Sequence, residues 1–182
     1  MWMAKKGNEI EDLVGARSFL SVLSDKISSY FKRIFRHSKR EVGIIIDGPN
    51  LLRKIEGKRV SLKKIREKAE KFGHISKAVA ILSSDAPPSL IKALTNSGFE
   101  PKIVAIGDIH VAMAVEVMKF LKEEDLDVII VGSRDTRCLP ILNKIKSEGV
   151  VAVAMGFEPG FAIALKNAAD EVIYLELESM EG

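Results

Sequence analysis

The segment over residues 44–50 constrains the fold more than any other part of the chain, because an apolar run ends there abruptly in polar groups. It reads Ile-Ile-Ile-Asp-Gly-Pro-Asn, so that three isoleucines are followed by an acid, a turn and an amide. A continuous apolar run of this kind is typical of a buried parallel strand. In open α/β sheets, ligands bind at the carboxyl ends of the strands. The segment therefore predicts that Asp47 and Asn50 lie where a metal ion or a phosphate could be bound.

Strand-like and helix-like stretches alternate along the rest of the chain. Apolar runs predict strands at residues 42–47, 78–83, 102–106, 127–131, 150–155 and 172–175. Periodic stretches predict helices from Ser61 to about Phe72, from Pro87 to Gly98, and at residues 111–124, 136–147 and 160–168. Alternation of this kind predicts an α/β fold, with a mainly parallel central sheet of about five or six strands and helices on both faces.

The first 40 residues form a separate, basic segment. Apolar side chains recur over residues 9–37 at spacings near three and four, which predicts an amphipathic helix. Three interpretations stay open: the helix packs on the domain or on another copy of itself, it is a nucleic-acid-binding arm, or it lies on a membrane surface. We divide the chain into a helical extension with its linker at residues 1–40, a domain at residues 41–177 and a tail at residues 178–182.

Charge and cysteine content restrict the class of protein. Residues 1–40 hold nine Lys or Arg and four Asp or Glu, whereas the remaining residues hold 19 and 21. The basic excess lies in the extension, so a uniformly basic nucleic-acid-binding surface on the domain is not expected. The one cysteine, Cys138, excludes a disulfide framework and a thiolate zinc site. Because the sequence has no apolar run of about 18 residues and no signal-peptide core, we expect a cytoplasmic protein without a membrane span.

Polar clusters follow several of the predicted strands. Besides Asp47 and Asn50, they are Ser84 with Asp85, Asp108 with His110 and Glu116, and the run Ser133-Arg134-Asp135-Thr136. A doubly wound topology brings the ends of the first, third and fourth strands near one crevice. Carboxylates that share a crevice repel each other unless a cation lies between them. Oxygen ligands of this kind favour Mg²⁺ or Mn²⁺, which could hold a phosphodiester and activate water for its hydrolysis.

Most of these residues also have a purely structural interpretation. Asp108 and Asp135 each precede a predicted helix and could serve only as its N-cap. Glu116 alone is typical of a solvated helix face, and Asp85, before two prolines, is better explained as a turn residue. Asp47 is different, because an acid directly after three isoleucines is costly unless a crevice or partners accommodate it. The sequence has no glycine-rich phosphate-binding fingerprint, no histidine spacing typical of zinc and no serine nucleophile elbow.

Three segments together resemble the NYN domain family, which belongs to the PIN-like nuclease superfamily. Residues 44–52 resemble its opening motif, residues 107–116 its acidic segment leading into a helix, and residues 131–142 its Ser-x-Asp-x-Asp-Phe-x-Pro-Leu element. Residues 156–170 are similar to an archaeal branch of the family. The resemblance covers residues 42–177 and does not include the N-terminal extension. It implies a PIN-like, Rossmann-like three-layer sandwich with a mainly parallel central sheet.

The resemblance also implies metal-dependent cleavage of RNA at named positions. Asp47 and Asp135 correspond to metal ligands, and Asn50 orients the metal shell or the substrate. Asp108, as a further ligand, and Glu116 add acidity to the site. The implied cofactor is Mg²⁺ or Mn²⁺, and the implied partner is RNA. We expect the RNA phosphates to be contacted by Arg53, Lys54, Ser133, Arg134 and Arg137.

Two positions depart from the family pattern. His110 stands where many members have Asp, and Arg137 stands where many have the second Asp of the Asp-x-Asp pair, with Cys138 in place of the usual aromatic residue. Both changes reduce the negative charge of the site and with it the affinity for Mg²⁺. His110 could still bind a softer ion such as Mn²⁺ or Zn²⁺ through a ring nitrogen, or it could be a partly buried, hydrogen-bonded residue at a helix start. Arg137 could bind a phosphate directly.

Three functions are compatible with these residues. The leading one is a metal-dependent endoribonuclease, in which an ion held by the carboxylates named above activates water. The second is an RNA-binding or assembly module that keeps the fold and has lost cleavage, for which His110 and Arg137 are the evidence. The third is a small-molecule phosphohydrolase or nucleotide-binding domain. The apolar stripe of the N-terminal helix would in addition suit a homodimer.

Overall fold

The computed structural model describes residues 40–123 and 125–179, apart from the side chain of Glu123. These residues belong to the second of the two compact units into which the chain divides, Arg40–Gly182. The helix predicted over residues 9–37 and the end of the predicted tail lie outside the described residues. Within the described part of the chain, no helix is long and apolar enough to span a membrane.

Strands and helices alternate along the domain as the sequence predicts, with ends displaced by a few residues. The strands are β1 (Glu41–Asp47), β2 (Lys58–Val60), β3 (His74–Ser83), β4 (Glu100–Val104), β5 (Val128–Gly132), β6 (Val151–Gly156), β7 (Glu171–Tyr174) and β8 (Leu177–Ser179). The helices are α1 (Gly48–Leu51), α2 (Leu62–Ala69), α3 (Pro88–Asn96), α4 (Ile109–Glu123), α5 (Leu139–Ser147) and α6 (Ile163–Ala168). A 3-10 turn at Thr136–Cys138 leads into α5.

Six of the strands form one parallel sheet in the order β4-β3-β1-β5-β6-β7. Counted along the chain within this sheet, the order is the doubly wound 3-2-1-4-5-6, whose winding direction reverses between β1 and β5. The carboxyl ends of these two neighbours open the crevice that such folds use for ligands. The predicted α/β sandwich with a mainly parallel sheet is therefore confirmed.

A second, two-stranded sheet pairs β2 with β8 in antiparallel orientation. This small sheet is not predicted from the sequence, because strands of three residues are too short to show an alternating pattern. β8 spans the predicted boundary between domain and tail at residues 177 and 178.

The central strand β1 is buried on both faces because helices cover both sides of the sheet. Ile44 and Ile46 belong to the core that includes Ile65 of α2 and other residues of that side of the sheet. Ile45 belongs to the opposite core, which α4, α5 and α6 complete. The run of isoleucines is thus explained by two cores that meet at one strand, and Asp47 is the first residue beyond them.

Gly48 lets the chain turn away immediately after Asp47. A β-carbon at this position would lie 2.5 Å from Cδ2 of Leu82 and 2.8 Å from the carbonyl oxygen of Ile81. Both separations are well inside van der Waals contact, so a larger residue would force α1 away from β3. The glycine therefore fixes the point at which the Asp47 carboxylate is delivered to the edge of the sheet.

Candidate active site

A cleft of about 370 Å³ opens at the carboxyl ends of β1 and β5. Its walls come from the loops that follow β1, β4 and β5. They are lined by Asp47, Pro49, Asn50, Arg53, Gly107, Asp108, Ile109, His110, Arg134, Asp135 and Arg137. β4 is separated from β1 by β3, so its residues reach the cleft through the loop that leads into α4. The cleft brings together most of the residues that the sequence analysis names as a site.

Asp47 is a buried acid at the floor of the cleft, with 2% of its surface exposed. Its Oδ1 accepts the backbone N–H of Asn50 at 3.1 Å, and its Oδ2 accepts the hydroxyl of Ser133 at 3.1 Å. Burial raises the pKa of Asp47, while these two hydrogen bonds and the nearby His110 act in the opposite direction. Asp47 is therefore an acid whose charge is only partly compensated by its neighbours.

Asn50 connects the loop after β1 to the loop after β5. Its side-chain oxygen accepts the backbone N–H of Arg134 at 2.9 Å, and its carbonyl oxygen accepts from the Arg134 guanidinium at 3.4 Å. The sequence predicts that Asn50 orients the metal shell or the substrate. In the structure the oxygen of its side-chain amide accepts a hydrogen bond that joins the two loops.

His110 lies between the acids of the cleft, with 13% of its side chain exposed. Its Nδ1 lies 2.9 Å from Oδ1 of Asp108, which also accepts the backbone N–H of His110 at 2.6 Å. An ionised carboxylate only accepts, so Nδ1 carries the proton and the lone pair of neutral His110 is on Nε2. Nε2 is buried and has no hydrogen-bond partner among the described residues; it lies 3.4 Å from Oδ2 of Asp47 and 3.8 Å from Oδ2 of Asp135. These three atoms can share this space favourably only with a proton or a cation between them.

Asp135 already has a cation of its own. Arg137 donates from Nη2 to Oδ2 of Asp135 at 2.7 Å and from Nε to both carboxylate oxygens at 3.1 Å. These bonds are the main reason that the pKa of Asp135 falls to about 2. The same guanidinium extends Nη1 to 3.6 Å from Oδ2 of Asp108, while 63% of the Arg137 side chain stays exposed. Arg137 thus lies at the mouth of the cleft as a counter-ion for two acids.

The three acids of the cleft, Asp47, Asp108 and Asp135, also cap the helical turns that follow them. Asp47 caps α1, Asp135 caps the 3-10 turn through the backbone N–H of Arg137 at 2.9 Å, and Asp108 accepts at the start of α4. Helix N-termini favour negative charge. Capping therefore holds each carboxylate in position without removing it from the cleft.

Two residues expected to contact RNA are instead engaged inside the protein. Ser133 is fully buried, and its hydroxyl also accepts the backbone N–H of Asp135 at 3.2 Å. The Arg134 guanidinium stacks 4.1 Å from the ring centre of Phe157 and donates to the carbonyl oxygen of Pro159 at 2.8 Å. Ser133 and Arg134 therefore shape the cleft from within, and they are poorly placed to bind phosphate.

Glu116 is not brought into the cleft. It is a buried acid on α4 whose Oε1 accepts from Nζ of Lys102, on β4, at 2.5 Å. Its Oε2 lies 3.5 Å from Nζ of Lys119. The expectation that Glu116 adds acidity to the site lacks support in this geometry, because a lysine on the edge strand neutralises it.

Arg53 and Lys54 are exposed and stand beside the cleft rather than at its floor. Arg53 lines both the cleft and a larger neighbouring groove, whereas Lys54 lines only the groove, as does Asp85. Of the five residues expected to contact RNA phosphates, these two are the freest to do so.

Sequence reasoning missed the loop that braces Arg134, which contains Phe157 and Pro159. The sequence signal was limited to the position of this loop directly after the strand predicted at residues 150–155. Cys138, in the 3-10 turn between Asp135 and α5, is also completely buried. Burial raises the pKa of the Cys138 thiol to about 12, so the residue acts as a small apolar side chain beneath the site.

The cleft fits a divalent cation in its chemistry, although the ligands are not fully gathered. Two ligand atoms that share an octahedral ion lie roughly 3 Å apart, and the separations from Nε2 of His110 are 3.4 Å to Asp47 and 3.8 Å to Asp135. Among residues 40–123 and 125–179, no three His, Cys, Asp or Glu side chains are already grouped as the ligands of an ion. Arg137 donates to Asp135 in this arrangement, so an ion would have to compete with it for that carboxylate.

The fold and the cleft define a doubly wound α/β protein with an acidic centre at its topological switch point. The NYN domain model matches residues 41–176. The chain therefore belongs to the NYN domain family, which is part of the PIN-like nuclease superfamily. PIN-like nucleases act on nucleic acids and generally use divalent metal ions.

The chain is also similar to a protein of Methanocaldococcus jannaschii named Uncharacterized protein MJ0482, with 41% identity over 154 residues. The match covers 85% of this chain and 62% of that protein, so the chain spans less than two thirds of its relative's length. Among solved structures, it is similar to the protein of unknown function VPA0982 from Vibrio parahaemolyticus, with a TM-score of 0.67 and 17% identity. That match covers 77% of this chain and 95% of the other, and at this identity it supports the fold alone.

Proposed function

We propose that the protein is a metal-dependent endoribonuclease whose reaction centre is the cleft between Asp47, His110 and Asp135. The observation that supports this best is Nε2 of His110, which is buried, has no hydrogen-bond partner within residues 40–123 and 125–179, and faces two carboxylates. A buried nitrogen in this position is costly unless a cation completes it. Membership of the NYN family supplies the reaction class, and the cleft supplies the ligands.

In this proposal Asp47, Asp135 and Nε2 of His110 would hold the ion. When bound, the ion would neutralise the charge that develops on the phosphodiester and assist the attacking water. Asp108 is a positioning residue, because its bond to Nδ1 keeps the lone pair of Nε2 directed at the site. Ser133 and the backbone N–H of Asn50 hold the Asp47 carboxylate in one orientation.

The donor set also predicts which ion is preferred. Two carboxylates with one imidazole form a mixed oxygen and nitrogen site, which suits Mn²⁺ and other transition metals better than Mg²⁺. We therefore expect Mn²⁺ to support cleavage at lower concentration than Mg²⁺. Asp108 acts behind the imidazole in this arrangement and is not itself a ligand.

Cleavage of a labelled, mixed-sequence single-stranded RNA with Mg²⁺, Mn²⁺ or EDTA tests the proposal. Wild type and Asp47→Asn are compared with Asp125→Asn, a matched loss of one exposed carboxylate located before β5, outside the cleft. We expect metal-dependent cleavage by wild type and by Asp125→Asn, and none by Asp47→Asn. Intact RNA with every ion, from folded wild-type protein, would refute a nuclease function.

A second candidate is an RNA-binding module that has lost cleavage, and Arg137 is the observation that favours it. A guanidinium that already neutralises Asp135 could replace the ion permanently. The two candidates differ in their response to metal, because an ion that binds the native state raises the melting temperature by mass action. An unchanged melting temperature with Mn²⁺ and Mg²⁺ would favour the binding module.

A further inference from the structure

A groove larger than the cleft runs beside it and shares two of its wall residues, Pro49 and Arg53. Its volume of about 1080 Å³ exceeds the roughly 300–1,000 Å³ of ordinary small-molecule sites. The walls include β2 and the end of β8 on one side and the loop between β3 and α3 on the other. The groove is therefore a continuous extension of the proposed reaction centre, with room for a polymer.

The cations of the groove are less tightly bound to acids than Arg137 of the cleft, which is paired with Asp135 and Asp108. Arg53, Lys54 and Arg59 are exposed, and they form no ion pair with any acid in the described part of the chain. Lys63 is paired only with Glu67 of its own helix, at 3.7 Å with 84% of the lysine side chain exposed. Such a pair on the surface is weak and is easily exchanged for a phosphate. Four basic side chains thus line one wall and its rim.

Arg53 indicates where the first anion would bind, because its exposed side chain lines both the groove and the cleft. Arg53 stands where cleft and groove meet, so a phosphate held there would lie next to the reaction centre.

Part of the groove lining is apolar, and this favours single-stranded nucleic acid over a duplex. This apolar lining includes Leu52, Leu90 and Ala93. An apolar lining beneath a basic rim suits unpaired bases turned inward with their phosphates at the rim. A duplex presents its phosphates and sugars outward and would leave this lining uncovered. Serines along the walls, such as Ser89 and Ser179, can bond the 2′-hydroxyl that distinguishes RNA from DNA.

We propose that this groove binds the part of a single-stranded RNA that flanks the bond to be cleaved. The assignment rests on the proposed nuclease function. Of the residues expected to contact RNA it keeps Arg53 and Lys54, and it adds Arg59 in place of Ser133, Arg134 and Arg137. Two acids, Asp85 and Glu178, oppose the cations and limit the affinity. Glu178 lies directly across the small sheet from Arg59.

The test is RNA binding by the full chain in EDTA, with Asp47→Asn present in every variant so that cleavage cannot interfere. Fluorescence anisotropy of a labelled single-stranded RNA is measured across a salt titration. Adding Lys54→Glu and Arg59→Gln should weaken binding about tenfold and reduce the salt dependence by the equivalent of about two phosphate contacts. The matched control is Lys122→Glu with Lys71→Gln, which removes the same charge from exposed lysines that line neither cavity. It should change the affinity less than twofold.

Glu178→Gln keeps the test independent of any loss of folding, because it should tighten RNA binding by about twofold to threefold. A duplex of the same sequence and the DNA form of the single strand should both bind more weakly than the RNA. Unchanged RNA affinity in the groove variant, or equal weakening in the matched control, would overturn the proposal. Equal binding of the duplex or of the DNA strand would also overturn it. Cleavage by wild type is measured separately, so a binding groove in a protein that does not cleave remains distinguishable from a nuclease that binds RNA elsewhere.

Discussion

Asp47 and Asp135 occupy equivalent positions in the fold and have opposite electrostatic environments. Asp47 is the last residue of β1 and Asp135 lies in the loop after the neighbouring strand β5, and each caps the helical turn that comes next. Asp47 is buried and accepts hydrogen bonds from two neutral donors, and its pKa is raised by burial. Asp135 is paired with Arg137, and its pKa falls to about 2. Asp135 therefore already has a guanidinium in direct contact, whereas the two hydrogen bonds to Asp47 bring no full charge.

The difference shows that position in the fold does not decide how an acid behaves. Burial without a cation makes the ionised form of Asp47 costly, so this residue gains most from an added ion. A guanidinium in contact makes the ionised form of Asp135 stable, so an added ion must compete with Arg137. Binding of metal to this cleft is thus a balance between one acid that needs it and one that is already neutralised.

The largest expected effect comes from removing the uncompensated acid. Asp47→Asn should reduce metal-dependent RNA cleavage by roughly 10²–10³-fold or more. The same substitution should stabilise the fold by on the order of 1 kcal/mol in EDTA, because it removes a buried charge. Its amide oxygen still accepts the backbone N–H of Asn50, and its NH2 group can donate to the Ser133 hydroxyl. Urea denaturation measures the second effect. A less stable Asp47→Asn protein would show that the carboxylate is fully compensated, contrary to the comparison.

Replacing the imidazole of His110 tests how it affects the affinity of the cleft for metal ions. His110→Asp should lower the dissociation constant for Mg²⁺ by about tenfold and reduce the preference for Mn²⁺, because a third carboxylate replaces the nitrogen donor. Isothermal titration with each ion in the absence of RNA gives this result directly. His74→Asp, at an exposed histidine at the start of β3, is the matched control and should leave both affinities unchanged.

Removing the Arg137 guanidinium, which competes with an ion for Asp135, should also tighten metal binding, but by less than His110→Asp. Arg137→Gln should tighten Mn²⁺ binding by about threefold to fivefold, the scale of one exposed ion pair. The change in Mn²⁺ affinity can be measured from the metal-induced shift in melting temperature, without an activity assay. Lys144→Gln removes an equal charge from an ion pair on α5 and should have no effect. Weaker metal binding in Arg137→Gln would mean that the arginine organises the site instead of competing for it.

The two acids should also respond to pH in opposite senses. The folded-state pKa of Asp135 is below its value of 3.8 in the unfolded chain, so its stabilisation is complete above that value and is lost as the pH falls towards about 2. The folded-state pKa of Asp47 is above 3.8, so its destabilising charge appears as the pH rises through the folded-state pKa. Acid titrations of stability in EDTA compare wild type with each Asp→Asn variant. The deficit of Asp135→Asn and the advantage of Asp47→Asn should both disappear at low pH.

The smallest effect on cleavage is expected at Glu116. Glu116→Gln should leave cleavage within about twofold of wild type, because this residue does not line the cleft. Lys102→Met should be markedly destabilising, by about 3 kcal/mol, since it leaves Glu116 buried without its principal partner. Thermal unfolding and the RNA assay separate these outcomes. A large loss of cleavage in a stably folded Glu116→Gln protein would show that Glu116 contributes to the reaction after all.

The parts of this molecule that the sequence predicts well depend on local pattern. The isoleucine run places Asp47 at the end of a central strand because burial on both faces leaves no other interpretation of it. The alternation of strands and helices gives the class of fold, and the capping positions of Asp108 and Asp135 follow from where the next helices begin.

The parts that it does not predict depend on contacts between distant residues. Glu116 has the helical position expected of a site residue, and only the neighbouring edge strand supplies Lys102 as its partner. Arg137 could face a phosphate or Asp135, and the sequence leaves both options open because the choice depends on the local turn. The pairing of β2 with β8 joins residues more than 100 positions apart and is invisible to any local pattern.

Cys138 gives the native chain a built-in reporter of motion beneath the cleft. It is the one cysteine of the sequence, and its buried thiol with a pKa of about 12 is protected from thiol-specific reagents in the closed state. The turn that covers it also carries Asp135 and Arg137, so alkylation requires this segment to separate from the sheet. The labelling rate therefore measures the free energy of that opening in the unmodified protein. An ion that joins Asp135 to Asp47 would slow the labelling, which makes ligand occupancy readable from a single sulfur atom.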